Sequence, residues 1–243
     1  MKITVDAKKM HDASAISKEL ARKSTLPSLE FMKVTADDNG ITVRATDLEK
    51  MIWMKIPGTV IEAGETGIPA KMVEMFSRKE KGDITIEDKL VHNTKKAIIT
   101  GNSTNGKATF IMDAMEVKEM VPDTGFPEHA VPAGIDPIEG LDRMLMIATT
   151  FAAKEESRPV LTGILLDGKT DGLPGSFTLA SADGFRLCKY TVPAFVPTFK
   201  AILPGKTANL ISKTMTKQKI HMSVNTPSNQ IKFETDTCKI FSQ

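Results

Sequence analysis

Apolar positions along this chain switch between helical and strand spacing, and the order of the switches occurs twice. From Asp6 to Arg22 the residues Met10, Ala13, Ile16 and Leu20 recur at helical spacing, which predicts a first helix after a short strand, Ile3 to Val5. Leu29 to Thr35 reads as a strand, Asn39-Gly40 as a hairpin turn, and Ile41 to Ala45 as a half-buried strand. Another strand, Met51 to Ile56, precedes Gly67 to Phe76, where Pro69 at a first-turn position opens an amphipathic helix. Three short strands follow, at Asp83 to Glu87, Lys96 to Thr100 and Lys107 to Met112, and this half closes near Val121-Pro122.

After a Pro- and Gly-rich connector, Pro122 to Gly134, the plan restarts. Asp136 to Ala153 is expected to be a helix with an Asp cap, Pro159 to Leu166 a strand, and Phe177 to Ser181 and Phe185 to Val192 a hairpin around Asp183-Gly184. Leu203 to Ile211 repeats the proline-led helix, and Lys219 to Val224, Gln230 to Phe233 and Cys238 to Phe241 close the second half. Residues match as well as elements. Thr25-Leu26-Pro27-Ser28-Leu29 stands against Ser157-Arg158-Pro159-Val160-Leu161, Ala45-Thr46-Asp47-Leu48 against Ser181-Ala182-Asp183-Gly184, and Ile68-Pro69-Ala70-Lys71 against Leu203-Pro204-Gly205-Lys206. The pattern predicts a tandem α+β protein, each copy with two helices packed on antiparallel sheet, and domains at residues 1–124 and 125–243.

The 243 residues, 41% of them hydrophobic, suffice for two ordinary cores. Cys188 and Cys238 are far apart and no secretory leader precedes Ile3, so a cytoplasmic chain with reduced thiols is expected. No apolar run reaches the roughly 18 residues of a membrane helix.

Catalytic patterns find little support. Gly205-Lys206-Thr207 imitates the end of a phosphate-binding loop, but the glycine needed five residues earlier is Lys200. His11, His92, His129 and His221 have no partner at helical spacing, so no metal site is expected. Glu155-Glu156 are adjacent and do not face a common point. No catalytic residue and no cofactor are expected.

Charge is more informative in its placement than in its formal sum of +2. The two proline-led helices and their exits carry Lys71, Arg78, Lys79, Lys81, Lys206, Lys213, Lys217 and Lys219 against only Glu74 and Glu80. The first helix adds Lys8, Lys9, Lys18, Arg22 and Lys23. Each could be an ordinary solvated lysine or arginine, but Lys71 and Lys206 recur at equivalent positions, which favours a shared polyanion-facing surface.

The three matched motifs, with Ala180-Ser181-Ala182-Asp183-Gly184-Phe185-Arg186-Leu187 foremost, occur in the order and spacing of one family. The chain resembles the β subunit of bacterial DNA polymerase III, the replicative sliding-clamp family. The resemblance implies clamp domains arranged in a ring around double-stranded DNA, a non-catalytic processivity role, and sequence-independent DNA contacts from Lys23, Lys71, Arg78 and Lys206. It also implies a hydrophobic pocket for short peptides of the DNA polymerase and clamp-loader subunits, with Leu161, Gly184, Phe185, Arg186 and Leu187 forming one wall.

Two departures accompany the resemblance. The family usually has Thr before Asp-Gly and His or Tyr after it, where this chain has Ala182 and Phe185, so polar capacity at the rim is reduced. Family members carry three domains, and two are read here. Either the chain is a fragment of a three-domain clamp that rings as a dimer, or it is a two-domain clamp that closes as a trimer. A truncated clamp acting as a non-encircling peptide- or DNA-binding module is the alternative function. In every case Thr109 to Met112 is expected to be an exposed edge strand, open to pairing with another chain.

Overall fold

The computed structural model describes residues 1–21, 26–103, 106–122, 133–135, 137–155, 157–225 and 230–242. The chain folds as two compact units, Met1–Thr124 and Gly125–Gln243. Antiparallel sheet and four helices make up the described residues, an α+β architecture.

The first unit runs β1 (Lys2–Asp6), α1 (Ala7–Ala21), β2 (Phe31–Asp37), β3 (Gly40–Thr46), β4 (Lys50–Ile56), β5 (Gly58–Glu62), β6 (Gly64–Pro69), α2 (Ala70–Ser77), β7 (Asp83–Val91), β8 (Thr94–Ser103) and β9 (Gly106–Asp113). One sheet has the order β5-β1-β7-β8-β9, and β4-β3-β2-β6 form a second antiparallel run. Asp6 starts α1 by accepting the Lys9 N–H at 2.9 Å. The helix then buries Met10, Ala13, Ser17 and Leu20 against α2 and strands β1, β3 and β4. A row of threonines, Thr59, Thr4, Thr85, Thr100 and Thr109, crosses the five-stranded sheet in register. Such β-branched cross-strand pairs suit a pleated surface. Strand β9 is the edge of that sheet, with Ile111 exposed.

The second unit runs β10 (Ala133–Ile135), α3 (Leu141–Phe151), β11 (Gly163–Lys169), β12 (Ser176–Ala182), β13 (Leu187–Pro193), β14 (Phe199–Pro204), α4 (Gly205–Thr214), β15 (His221–Asn225), β16 (Gln230–Glu234) and β17 (Cys238–Ser242). Its strands pair antiparallel in the orders β13-β12-β11-β14 and β10-β15-β16-β17. Helix α3 packs on α4 and on β11, β12 and β13, burying Leu141, Leu145 and Ala148. Phe177, Phe233, Ile164 and Leu203 complete the core.

Several boundaries differ from the periodicity reading. The strands expected from Leu29 and from Pro159 begin instead as one 3-10 turn each, Pro27–Glu30 and Pro159–Thr162, and become extended at Phe31 and Gly163. Proline lacks the ladder N–H and fixes φ, so these segments turn before they pair. Pro69 and Pro204 end β6 and β14 and stand just before their helices rather than inside them. Helix α3 starts at Leu141 after Gly140 at φ 69°, and Asp136, the expected cap, lies outside the described residues. Strands β5, β6 and β14 are hidden from periodicity by neighbouring Pro and Gly that read as loop or helix start.

Candidate partner and nucleic-acid surfaces

The Asp183 turn is built by one carboxylate. Asp183 donates its N–H to the Arg186 carbonyl at 3.2 Å, and its Oδ1 accepts the N–H groups of Phe185 and Arg186 at 3.0 and 2.8 Å. Those two residues therefore leave the ladder, and β13 begins at Leu187 rather than at Phe185 as periodicity suggests. Gly184 has φ 94°, a region that favours glycine. Asp183 Oδ2 accepts Nε and Nη2 of Arg186 at 3.0 and 2.7 Å. That guanidinium, followed by the two backbone N–H groups, holds the Asp183 carboxyl down to about 2.

Arg186 is held from a second side by the end of α3. Its Nη2 reaches the Thr150 carbonyl at 3.5 Å, and its guanidinium carbon lies 5.3 Å from the centre of the Phe151 ring. Ser181 Oγ donates to the Ala148 carbonyl at 2.7 Å, fastening β12 to the same helix. The Ala153 N–H bonds the Leu161 carbonyl at 2.8 Å, which brings in the 3-10 turn. Arg158 Nη1 stands 3.7 Å from where a Cβ on Gly184 would be. Leu161, Gly184, Phe185, Arg186 and Leu187 thus lie on segments joined by direct contacts.

These segments carry several exposed apolar side chains. Phe185 is 99% exposed, Leu187 68% and Val160 67%, while Leu161 is half-buried. The first unit supplies a comparison within the same chain. Asp47 Oδ1 accepts the N–H groups of Glu49 and Lys50 at 3.2 and 2.9 Å, Oδ2 pairs with Lys50 Nζ, and Leu48 has φ 76°. The turn is the same, but Leu29 and Met51, at the positions of Leu161 and Leu187, are 5% and 4% exposed. Thr46 Oγ1 also accepts the Leu48 N–H at 3.1 Å and donates to the Lys50 carbonyl at 2.9 Å, bonds that Ala182 has no hydroxyl to make. Periodicity overlooks Thr150 and Phe151, whose proximity to the turn depends on contacts between residues distant in sequence.

Two cavities of the second unit lie elsewhere. One of about 420 Å³ is lined by Asp167, Lys169, Asp171, Thr198, Phe199 and Lys200. The other, about 510 Å³, lies among Ile138, Glu139, Val192 and Phe195. Among the described residues no group of three or more His, Cys, Asp or Glu side chains could hold a metal ion. No described helix is long and apolar enough to cross a membrane.

The basic residues occupy helix faces. Lys71 is in the first turn of α2 and Arg78 just follows its last turn, seven residues on and therefore on the same side; both are exposed. Lys206 is exposed in the first turn of α4. Lys23 lies outside the described residues. Lys18 is partly neutralised, since its ammonium donates to Glu74 at 3.0 Å and, as the leading cause, holds that carboxyl below its usual range. A cation in the first helical turn opposes the helix dipole, at a cost of about 0.3–1 kcal/mol when exposed. Both proline-led helices carry one there.

Comparison with known proteins agrees in sequence and in fold. Residues 140–243 match the DNA polymerase III beta subunit, central domain. The chain is 22% identical over 254 residues to the beta sliding clamp of Bacillus subtilis, covering 100% of this chain and 64% of that protein. It is 27% identical over 194 residues to the beta sliding clamp of Synechocystis, covering 74% and 45%. The solved Bacillus subtilis clamp superposes with a TM-score of 0.82 at 20% identity, again over 100% of this chain and 64% of the other. The Pseudomonas aeruginosa clamp bound to griselimycin gives 0.83 at 18%, with the same coverage. In sequence and in fold, therefore, this chain is similar to the bacterial DNA polymerase III beta sliding clamps, and it spans about 64% of the length of the Bacillus subtilis relative.

Proposed function

We propose that this chain acts in DNA replication as a non-catalytic processivity factor. Its clamp domains contribute to a ring around double-stranded DNA, and its second unit docks short apolar peptides of a DNA polymerase and its clamp loader. The observation that carries the docking half is the contrast between the two Asp turns. One fold element occurs twice, and only the second copy leaves Phe185, Leu187 and Val160 in water. Fold maintenance does not require that exposure at Leu187, because the first copy buries Met51 at the same position, and it has the polar Glu49 and Ser28 where the second has Phe185 and Val160. Peptide anchors placed against such a wall would remove apolar surface from water, with Arg186 giving direction at the rim.

The encircling half rests on the likeness to the clamps and on cations suited to phosphate contact. Exposed Lys71, Arg78 and Lys206 can donate to phosphate oxygens, and phosphate contacts hold without reading sequence. Few such contacts permit sliding. Retention distinguishes the possibilities: assembled and loaded on nicked circular DNA, the protein is expected to persist there and to be lost when the circle is linearised. Equal loss from both forms would reject encirclement and leave a peptide-docking module.

A further inference from the structure

Arg186 carries one positive charge at the rim of the apolar wall, and that charge is already matched. Asp183 Oδ2 takes both Nε and Nη2, at 3.0 and 2.7 Å, while Oδ1 of the same carboxylate is committed to the turn. The Thr150 carbonyl and the Phe151 ring confine the guanidinium from the α3 side. Of its five donors, the two on Nη1 have no partner among the described residues. An incoming group meets an oriented N–H pair backed by a carboxylate, not a bare cation.

We infer that Asp183 is a specificity-setting residue of the peptide site: by neutralising and orienting Arg186 it selects a neutral carbonyl acceptor on the partner and removes any preference for an acidic side chain there. The inference rests on the docking reading above. A carboxylate approaching Nη1 is attracted by Arg186 and repelled by Asp183 from nearly the same direction, so the two charges act as a short dipole whose field falls off quickly. A backbone carbonyl bears no net charge and still receives the hydrogen bond. The Asp183 carboxyl, held down to about 2, stays ionised across the physiological range, so the cancellation is permanent there. The first unit has the same kind of ion pair at Asp47 and Lys50, but there the residue at the position of Leu187, Met51, is buried.

The test uses the full chain and two capped, N-terminally labelled decapeptides that share two adjacent leucines and differ only in a neighbouring glutamine or glutamate. Affinities are read by fluorescence anisotropy at low salt. Asp183→Asn keeps an Oδ1 acceptor for the turn but frees Arg186, and the ratio of glutamate-peptide to glutamine-peptide affinity is expected to rise about two- to fivefold over the unmodified chain. That rise should vanish in 0.5 M salt, a concentration of roughly 4 Å Debye length. It should also vanish in the double variant Asp183→Asn/Arg186→Gln, which attributes it to Arg186 rather than to Arg158. A ratio that Asp183→Asn leaves unchanged would overturn the inference alone. Failure of both peptides to bind the unmodified chain saturably would overturn the docking reading and this inference with it.

Discussion

At the residue scale the Asp183 turn concentrates several jobs in a few atoms. Gly184 is at φ 94°, so Gly184→Ala places a Cβ in a left-handed conformation and is expected to destabilise the second unit by roughly 1–2 kcal/mol in urea titration. Unchanged stability would mean that the turn readjusts without strain. Asp183 also predicts a pH dependence. Its folded-state value, about 2, lies below the ordinary carboxylate range, so its contribution is fully present above the unfolded value near 4 and fades as pH falls through the folded one. Acid unfolding of Asp183→Asn should therefore lack that part of the slope between pH 4 and 2, and an identical slope would contradict it. The two thiols are the inert opposites. Burial raises Cys188, and burial against a smaller opposing hydrogen bond from Thr214 pushes Cys238 up to about 12. Neither is expected to react quickly with an alkylating reagent at pH 8 until denaturant is added, when both should.

At the element scale the proline-led helices show where local stability and proposed function pull in opposite directions. Lys71 and Lys206 occupy first turns, where the helix dipole disfavours a cation. Lys71→Gln and Lys206→Gln are each expected to leave folding stability equal or higher by about 0.3–1 kcal/mol. The same changes should weaken DNA binding and flatten its salt dependence, by about 0.9 in slope for every phosphate left without its cation. Reduced stability together with unchanged DNA binding would return both lysines to the status of ordinary surface residues. Helix periodicity is legible in the sequence because Met10, Ala13 and Leu20, or Leu141, Leu145 and Ala148, repeat on one buried stripe. Short strands beside Pro or Gly are not legible. β5 is exposed or half-buried along its whole length and has no alternation to read, and β6 ends on a proline that reads as a helix start.

At the scale of the whole molecule the proposal requires association. A ring needs more clamp domains than one copy of this chain holds, so native mass measurement is expected to find species above 26.5 kDa. Edge strand β9 exposes Ile111, and Ile111→Lys, which puts a charge on that strand, should shift the distribution toward single copies. A single-copy mass at all concentrations would argue against ring closure by this chain alone. The internal repeat is what makes functional residues distinguishable here. Two copies of one turn share the Asp carboxylate bonds that build it, so differences between them outside those bonds, such as Phe185 against Glu49, are the candidates for function.

What the sequence determined by itself was the helices and the longer strands, their duplication, the Asp turns and the exposed cations of the helix starts, because each follows from local spacing or local side-chain chemistry. Gly184 and Asp183 are readable as a turn from four consecutive residues. Only the tertiary structure decided which apolar residues of equivalent position are buried and which are exposed, since Met51 and Leu187 look alike in sequence yet one is buried and the other is not. It also decided that Arg186 is neutralised by Asp183 and walled by Thr150 and Phe151, which lie far from it along the chain. The charge of a guanidinium is written in its residue type, but the field it presents depends on the neighbours that folding brings beside it.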